Sequence, residues 1–365
     1  MLPRNIRIVD LSAIEHNMKL IRNAVPSAVK ILAVVKADGY GHGAVRTAEA
    51  AARGGADMLA VASVSEGIHL RENGITLPVL VLGAVTEADV SEGIRNGLIQ
   101  TVCSPEMVSW CENAATALGK QTEVHLKVDT GMGRIGIRNE KERDDVLSSI
   151  AKCPHVTLTG VFTHFSDADG NGDGETYTHD QFRKFLSLIE PLPEGILRHC
   201  CNSAAIERFP EMALDMVRAG ISLYGYPPVS SSLGLKPCME WNAVITYVKE
   251  IPAREYVSYG RTYRSEKTVR VATVSCGYGD GYHRCAGKDG YVLIHGKRAK
   301  IIGRVCMDQM MVDVTGMAVR AGDEVLLLGG DCLTADEMAG ELGSIGYEIV
   351  CGIGRRVQRY YKESR

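Results

Sequence analysis

Ile31-Leu32-Ala33-Val34-Val35, then Lys36-Ala37-Asp38-Gly39-Tyr40-Gly41-His42-Gly43, then Ala44 to Arg53, then Met58-Leu59-Ala60-Val61 is the passage on which the fold turns. It reads as an apolar, β-branched strand covered on both faces, a glycine-rich loop, an Ala-, Glu- and Arg-rich helix and a second covered strand. The unit recurs in kind. Further apolar runs fall at Val79-Leu80-Val81-Leu82, Ile99-Gln100-Thr101-Val102, Val124 to Val128, Leu158 to Phe162, Ile196 to Cys200 and Met216-Val217-Arg218. Helical stretches separate them, with Ser104-Pro105-Glu106 and Ser203-Ala204-Ala205 reading as helix starts. Eight strand-then-helix units between residue 31 and about 225 predict a (β/α)8 barrel rather than an open sheet.

Beyond Pro227-Pro228 and Ser230 to Gly234 the character changes to short alternating runs, Ala243 to Val248, Val269 to Val274 and Ala299 to Ile302, separated by Gly-containing turns. The expected division is a barrel over residues 1–235 and a strand-rich domain over 236–365. Ile6 to Leu11 precedes the first barrel strand and is expected to pair with the second domain. A single helix is expected there near 334–342, where Thr334-Ala335-Asp336-Glu337 offers a cap and an acidic first turn.

The 365 residues are 45% hydrophobic and 23% charged, the balance of a globular chain with a sizeable core. Lys and Arg number 41 against 44 for Asp and Glu, and no long run of like charge occurs, so neither nucleic acid nor a membrane surface is an expected partner. The first residues lack a signal peptide's apolar core, and the 11 cysteines are scattered without a C-x-x-C pair. A reduced, cytoplasmic setting is expected, with no metal and with Cys200-Cys201 as packing residues.

Two motifs mislead. Gly131-Met132-Gly133-Arg134-Ile135-Gly136 matches a dinucleotide fingerprint, but from Ala151 to Phe162 no acidic residue is present to hold a ribose hydroxyl. Asp167-Ala168-Asp169-Gly170-Asn171-Gly172 imitates the front of a calcium loop, yet Thr178 stands where a bidentate Glu belongs. Hydrolase, zincin and P-loop signatures are missing.

Lys36 is the informative residue. A lysine ending a buried strand at a barrel's C-terminal mouth must snorkel, pair or react, and desolvation there frees its amine for Schiff-base chemistry. Arg134 follows the fifth barrel strand, His164 the sixth and Asn202-Ser203 the seventh, while Arg218-Ala219-Gly220-Ile221 lies at the eighth. Loops after the last two strands recurrently bind phosphate, and Ser203 with the Gly220 and Ile221 amides are candidate donors. A reactive lysine opposite a phosphate cradle is what pyridoxal phosphate requires.

These stretches give the chain a family likeness. Val34 to Gly43, Lys127-Val128-Asp129-Thr130-Gly131-Met132-Gly133-Arg134, Thr163-His164-Phe165, Asn202-Ser203-Ala204 and Val217 to Ile221 all contribute. So do Leu223-Tyr224-Gly225, Val257-Ser258-Tyr259-Gly260, Gly277-Tyr278-Gly279-Asp280-Gly281 and Cys306-Met307-Asp308-Gln309. On them the chain resembles the bacterial alanine racemases over essentially its whole length. The resemblance implies a pyridoxal 5'-phosphate enzyme, a homodimer with shared active sites, that interconverts L- and D-alanine for peptidoglycan. It implies that Lys36 holds the cofactor and is the base on one face of the substrate α-carbon, with Tyr259 of the partner protomer the base on the other. Arg218 would then meet the pyridine nitrogen, Tyr40 and Ser203 the phosphate, with Asn202, Gly220 and Ile221 beside it. Arg134 would meet the phenolic oxygen and contribute, with Met307 and Tyr278, to the substrate site. His164 would stand behind the ring, and Lys127 would match a lysine that is often carbamylated.

The chemistry agrees with these roles. Racemisation removes a proton from one face and returns one to the other, so two bases are the economical arrangement. A phenol acts as a base near neutral pH only beside cations, and Arg134, Arg218 and His164 are the candidates. An arginine on the pyridine nitrogen argues against a decarboxylase, and a second base argues against a non-catalytic carrier. Serine is the alternative substrate, because Arg355 stands where many family members carry a Tyr before Arg-Val-Pro-Arg. Arg355 would either bond the phosphate or the Tyr259 oxygen, or turn into solvent.

Overall fold

The computed structural model describes residues 4–287, 290–330 and 333–363. It divides into two compact units, Ala13–Lys236 and a second made from both ends of the chain, up to Ser12 and from Pro237 onward. In the second unit, strand β1 (Asn5–Asp10) pairs with elements from the far end of the sequence.

The first unit is built on eight parallel strands: β2 (Lys30–Val34), β3 (Met58–Val61), β4 (Val79–Val81), β5 (Gln100–Val102), β6 (Thr122–Lys127), β7 (Val156–Phe162), β8 (Leu197–His199) and β9 (Met216–Ala219). Ladders join β4-β3-β2-β9 and β5-β6-β7-β8. A bridge at Leu80 and Ile99 connects β4 to β5, and Asp215 N–H to Arg198 O (3.1 Å) with Arg218 N–H to Cys201 O (3.0 Å) connects β8 to β9. The ring is therefore closed. Every residue of β3, β4 and β5 is buried, because a barrel strand is covered by side chains inside and by helices outside.

The helices begin and end where local chemistry directs. Ser63 Oγ accepts the Glu66 amide to start the helix Val64–Glu72, and Ser104 Oγ accepts the Met107 amide ahead of Pro105 to start Pro105–Leu118. The helix Ala44–Arg53 has the bounds its composition suggests. At Ser203–Arg208 the cap is Asn202, whose Oδ1 accepts the Ala205 amide, so Ser203 is the first helical residue and its hydroxyl is free for other work.

In the second unit β1 lies between β10 (Met239–Ile251), antiparallel, and β18 (Gln358–Lys362), parallel. Between those two in sequence lie β11 (Tyr256–Val257), β12 (Tyr263–Arg264), β13 (Val269–Val274), β14 (Tyr291–Ile294), β15 (Lys297–Lys300), β16 (Met310–Asp313) and β17 (Glu324–Leu328). Long β10 shifts register near Ile245 and serves both β17 and β13. Ile251, Val257, Val269, Val271 and Ile302 form one of its apolar clusters. Beside the expected helix, found at Ala335–Leu342, stands a second at Gly346–Gly352. It has seven residues, glycine at both ends and no side-chain cap, so no local signal marks it.

Candidate active site

The chain leaves β2 through a backbone conformation that L-residues avoid. Ala37, Asp38, Gly39, Tyr40 and Gly41 have φ of 51°, 53°, 62°, 49° and 80°. Three of these are not glycine, and each left-handed L-residue costs roughly 1–2 kcal/mol. Strain of this kind concentrates where geometry serves function. Lys36 opens this turn and is half-buried. The expectation of a desolvated lysine ending the strand is thus corrected: Lys36 lies past the strand, and the deeply buried lysine of the mouth is Lys127.

Lys127 ends β6 with 3% exposure, its Nζ 4.6 Å from the Phe162 ring centre. Burial first, and then the positive charges of Arg218 and Arg134, push its amine well below the ordinary lysine value. It has no ion pair among the described residues. Arg134, on the loop after β6, is exposed.

Arg218, on β9, is 3% exposed and almost fully committed. Its NH1 donates to His199 Nδ1 and His199 O, both at 3.1 Å, and its NH2 to Thr163 O (2.8 Å), Cys200 O (2.9 Å) and His164 Nδ1 (3.3 Å). Burial brings its guanidinium down to about 10, still a cation near neutral pH. Nε takes no partner among the described residues.

A guanidinium only donates, so the arginine fixes the tautomers beyond it. His199 Nδ1 accepts and must be unprotonated, which puts its hydrogen on Nε2. That hydrogen is donated to His125 Nδ1 at 3.1 Å, leaving His125 protonated on Nε2. Burial lowers His199 well below the ordinary histidine value, with Arg218 adding to the effect, and lowers His125 to about 3. Gly160 admits the His125 ring, since a Cβ there would lie 2.4–2.5 Å from three of its atoms. His164 is also held well below its usual value, by burial and then by Arg218, Lys127, Arg134 and Lys36. As a neutral ring it is not one of the cations expected to serve Tyr259.

Across the mouth, Tyr40 and Ser203 gather around Gly220. A Cβ on that glycine would stand 3.3 Å from Tyr40 Oη and 3.5 Å from Ser203 Oγ. The Gly220 amide donates to Ser203 Oγ at 2.9 Å, so it orients the hydroxyl and is not itself a spare donor as expected. The Tyr40 ring packs on Tyr224, 4.9 Å between centres, whose hydroxyl donates to Val34 O at 2.9 Å. Tyr224 is a support that its place in Leu223-Tyr224-Gly225 does not by itself reveal.

Ile221, after β9, is buried, whereas three further expected site residues lie on the second unit and are exposed there: Tyr259 (65%), Tyr278 (40%) and Met307 (53%). Tyr259 opens a tight turn after Ser258, whose φ is 69° and whose Oγ donates to Arg304 O at 2.5 Å. The amides of Tyr278 and Gly279 donate to Cys306 O (2.9 Å) and Met307 O (2.8 Å), so the two segments are joined. Arg356 clamps them: Nε donates to Asp280 Oδ1 at 2.7 Å, and NH2 to Asp308 Oδ1 at 2.8 Å and Met307 O at 3.2 Å. Its neighbour Arg355, expected either at the phosphate or the Tyr259 oxygen or in solvent, is exposed and unpaired among the described residues.

Both misleading motifs are structural. Asp129 Oδ1 accepts the Gly131 and Gly133 amides at 3.0 Å each, which commits the glycine-rich loop to a carboxylate of the chain. In the acidic loop Arg208 donates to the carbonyls of Ala168 and Gly170 and pairs with Glu175. Among the described residues no cluster of three or more His, Cys, Asp or Glu could hold a metal ion, and no helix is long and apolar enough to cross a membrane.

A closed barrel with a lysine on a strained turn and a buried arginine at the strand ends of its C-terminal mouth defines the class: a (β/α)8 barrel of the kind that carries enzyme sites at that face. Comparison with known proteins narrows it. Residues 9–228 match the model of the alanine racemase N-terminal domain and residues 238–361 that of the C-terminal domain. The alanine racemase of Desulfovibrio desulfuricans is 44% identical over 363 residues, with 97% of each chain covered. The solved alanine racemase of Clostridium difficile 630 superposes with a TM-score of 0.95 at 38% identity, covering 100% of this chain and 97% of that one. The Bacillus anthracis alanine racemase with bound L-Ala-P gives 0.92 at 36% identity, over 99% and 96%. The chain belongs to the alanine racemase family, and its activity is that of an amino-acid racemase, an isomerase acting on alanine.

Proposed function

We propose that the chain interconverts L- and D-alanine with pyridoxal 5'-phosphate held at Lys36, Tyr259 supplying the second base. The observation that carries the cofactor assignment is the Gly220 cradle: Tyr40 Oη and Ser203 Oγ converge where a Cβ would stand, leaving room for a phosphate oxygen beside the backbone. Asn202 begins the short helix that presents Ser203, and Ile221 continues the cradle's backbone. Arg218 Nε remains to donate to a ring nitrogen, its other nitrogens being occupied. The group, when bound, withdraws electrons from the substrate α-carbon and makes its proton removable.

The chain's own work is to move that proton. Lys36 accepts or returns it on one face, and the Tyr259 oxygen does so on the other. His164 and His199, neutral, fix Arg218 without adding charge. Arg134, Tyr278 and Met307 line the substrate's approach. A carbamate on Lys127 would replace a buried amine among cations by an anion beside Arg134, which the local charges favour. Exposure of Tyr259, Tyr278 and Met307 on one unit supports a homodimer in which each chain completes its partner's site. Ten free cysteines among the described residues support a reducing, cytoplasmic setting.

Alanine rather than serine is the substrate the comparisons favour, the Bacillus anthracis relative being described with bound L-Ala-P. The decisive experiment is borohydride treatment of the cofactor-loaded protein with peptide mapping, together with racemisation rates for alanine and serine. The pyridoxyl group is expected on Lys36, and its appearance on any other lysine would refute the assignment. Mixing Lys36→Ala with Tyr259→Phe chains is expected to restore activity. No recovery despite subunit exchange would refute shared sites.

A further inference from the structure

We propose that Glu66 is a positioning residue for Lys36, its carboxylate bracing the left-handed turn on which that lysine is mounted. Glu66 lies in the first turn of the helix Val64–Glu72, which follows β3. Its two oxygens are used separately. Oε1 accepts the Ala37 amide at 2.7 Å, and Oε2 accepts the Ala62 amide at 2.7 Å. Ala37 follows the exit of β2 and Ala62 the exit of β3, so one side chain ties two neighbouring strand exits together.

The point of attachment matters. The Ala37 amide belongs to the same peptide plane as the Lys36 carbonyl, so holding that N–H sets the rotation of the Lys36 backbone and with it the direction of the side chain. The far end of the turn is anchored elsewhere, by Asp38, whose Oδ1 accepts the Ala44 amide at 3.0 Å and whose carbonyl accepts the Gly43 amide at 2.7 Å. A run of left-handed residues between two anchors keeps its shape only while both hold. Only a carboxylate serves: an amide side chain offers one acceptor oxygen, and its NH2 would face an N–H.

The role as lysine holder rests on the function proposed above, but the brace can be tested without cofactor. In the apoprotein, Glu66→Gln is expected to speed hydrogen exchange roughly 10- to 100-fold at whichever of the Ala37 and Ala62 amides meets the side-chain NH2, the effect of losing a hydrogen bond to a charged group. Competitive acylation is expected to change the reactivity of Lys36 relative to the other lysines. Glu66→Asp, which keeps both acceptors, should restore part of each effect, and Glu72→Gln on the same helix should leave both untouched. In the loaded enzyme, Glu66→Gln is expected to lower kcat more than it raises KM, with cofactor still recovered on Lys36. Unchanged exchange and unchanged Lys36 reactivity in a folded Glu66→Gln protein would overturn the brace whatever the enzyme's chemistry. Altered Lys36 reactivity alongside a borohydride adduct on another lysine would uphold the brace and overturn the function. If Glu66→Gln fails to fold, the parent carries the test: its Ala37 and Ala62 amides are expected to exchange slowly, and exchange at the rate of unprotected amides would overturn the proposal.

Discussion

Acid should unfold this protein through three histidines that the fold keeps neutral. His125, His164 and His199 all lie below the ordinary value, chiefly because burial disfavours the charged ring. The sign follows from linkage: the unfolded chain binds these protons first, so their stability contribution is complete above the unfolded value near ~6.5 and is lost as pH falls below it. For His125, with a folded value of about 3, going from about pH 6.5 to about pH 4.5 removes roughly 2 kcal/mol. His164 and His199 shift in the same direction and add to this loss, against a domain's whole stability of roughly 5–15 kcal/mol. The instructive perturbation is His125→Phe. Near neutral pH it leaves His199 Nε2–H without its acceptor, at a cost of roughly 1–3 kcal/mol. Below about pH 6 it removes one proton from the linkage, flattening the dependence by about 1.4 kcal/mol per pH unit. The variant should thus be weaker than its parent when neutral and lose less in acid. Urea unfolding followed by circular dichroism across this range measures both slopes. Equal slopes, or a histidine resonance showing His125 titrating at its ordinary value, would refute the tautomer chain from Arg218 outward.

Gly220→Ala puts a carbon 3.3 Å from Tyr40 Oη and 3.5 Å from Ser203 Oγ, inside the cradle. Losing one charge-assisted phosphate bond there should weaken pyridoxal 5'-phosphate binding roughly 10- to 100-fold in an absorbance titration of the apoprotein, and unchanged affinity would move the phosphate elsewhere. In carbon-dioxide-free buffer the depressed Lys127 amine should make stability rise with pH below ~10.4, by about 1.4 kcal/mol per unit wherever the folded amine is neutral and the unfolded one charged. Lys127→Met should abolish that slope, and bicarbonate should stabilise the parent but not the variant in urea unfolding. Arg356→Met should raise KM for alanine more than it lowers kcat, because it frees the Tyr278 and Met307 segments together. Steady-state kinetics unchanged in both parameters would show the clamp to be dispensable.

The most legible residues were those whose role is local or periodic. Ala44–Arg53 was readable because a helix states itself in composition, and Val269–Val274 because alternation states a half-buried strand. Lys36, Ser203 and Arg218 could be set at one mouth by counting strands alone, since parallel strands of a barrel all deliver their ends to one side. The helix Gly346–Gly352 could not be read, because neighbours in space rather than caps hold it.

By itself, then, the sequence determined the barrel, the strand-rich second domain and the family. These depend on apolar periodicity, turn chemistry and motif order, which the chain carries locally. Tertiary structure alone decided that Lys127 rather than Lys36 is the deeply buried amine, and that His125 and His199 are neutral and oriented from Arg218. It alone decided that Glu66 and Arg356 hold segments distant in sequence. Burial, charge environment and hydrogen-bond direction are properties of what surrounds a group, and folding brings those surroundings from elsewhere in the chain.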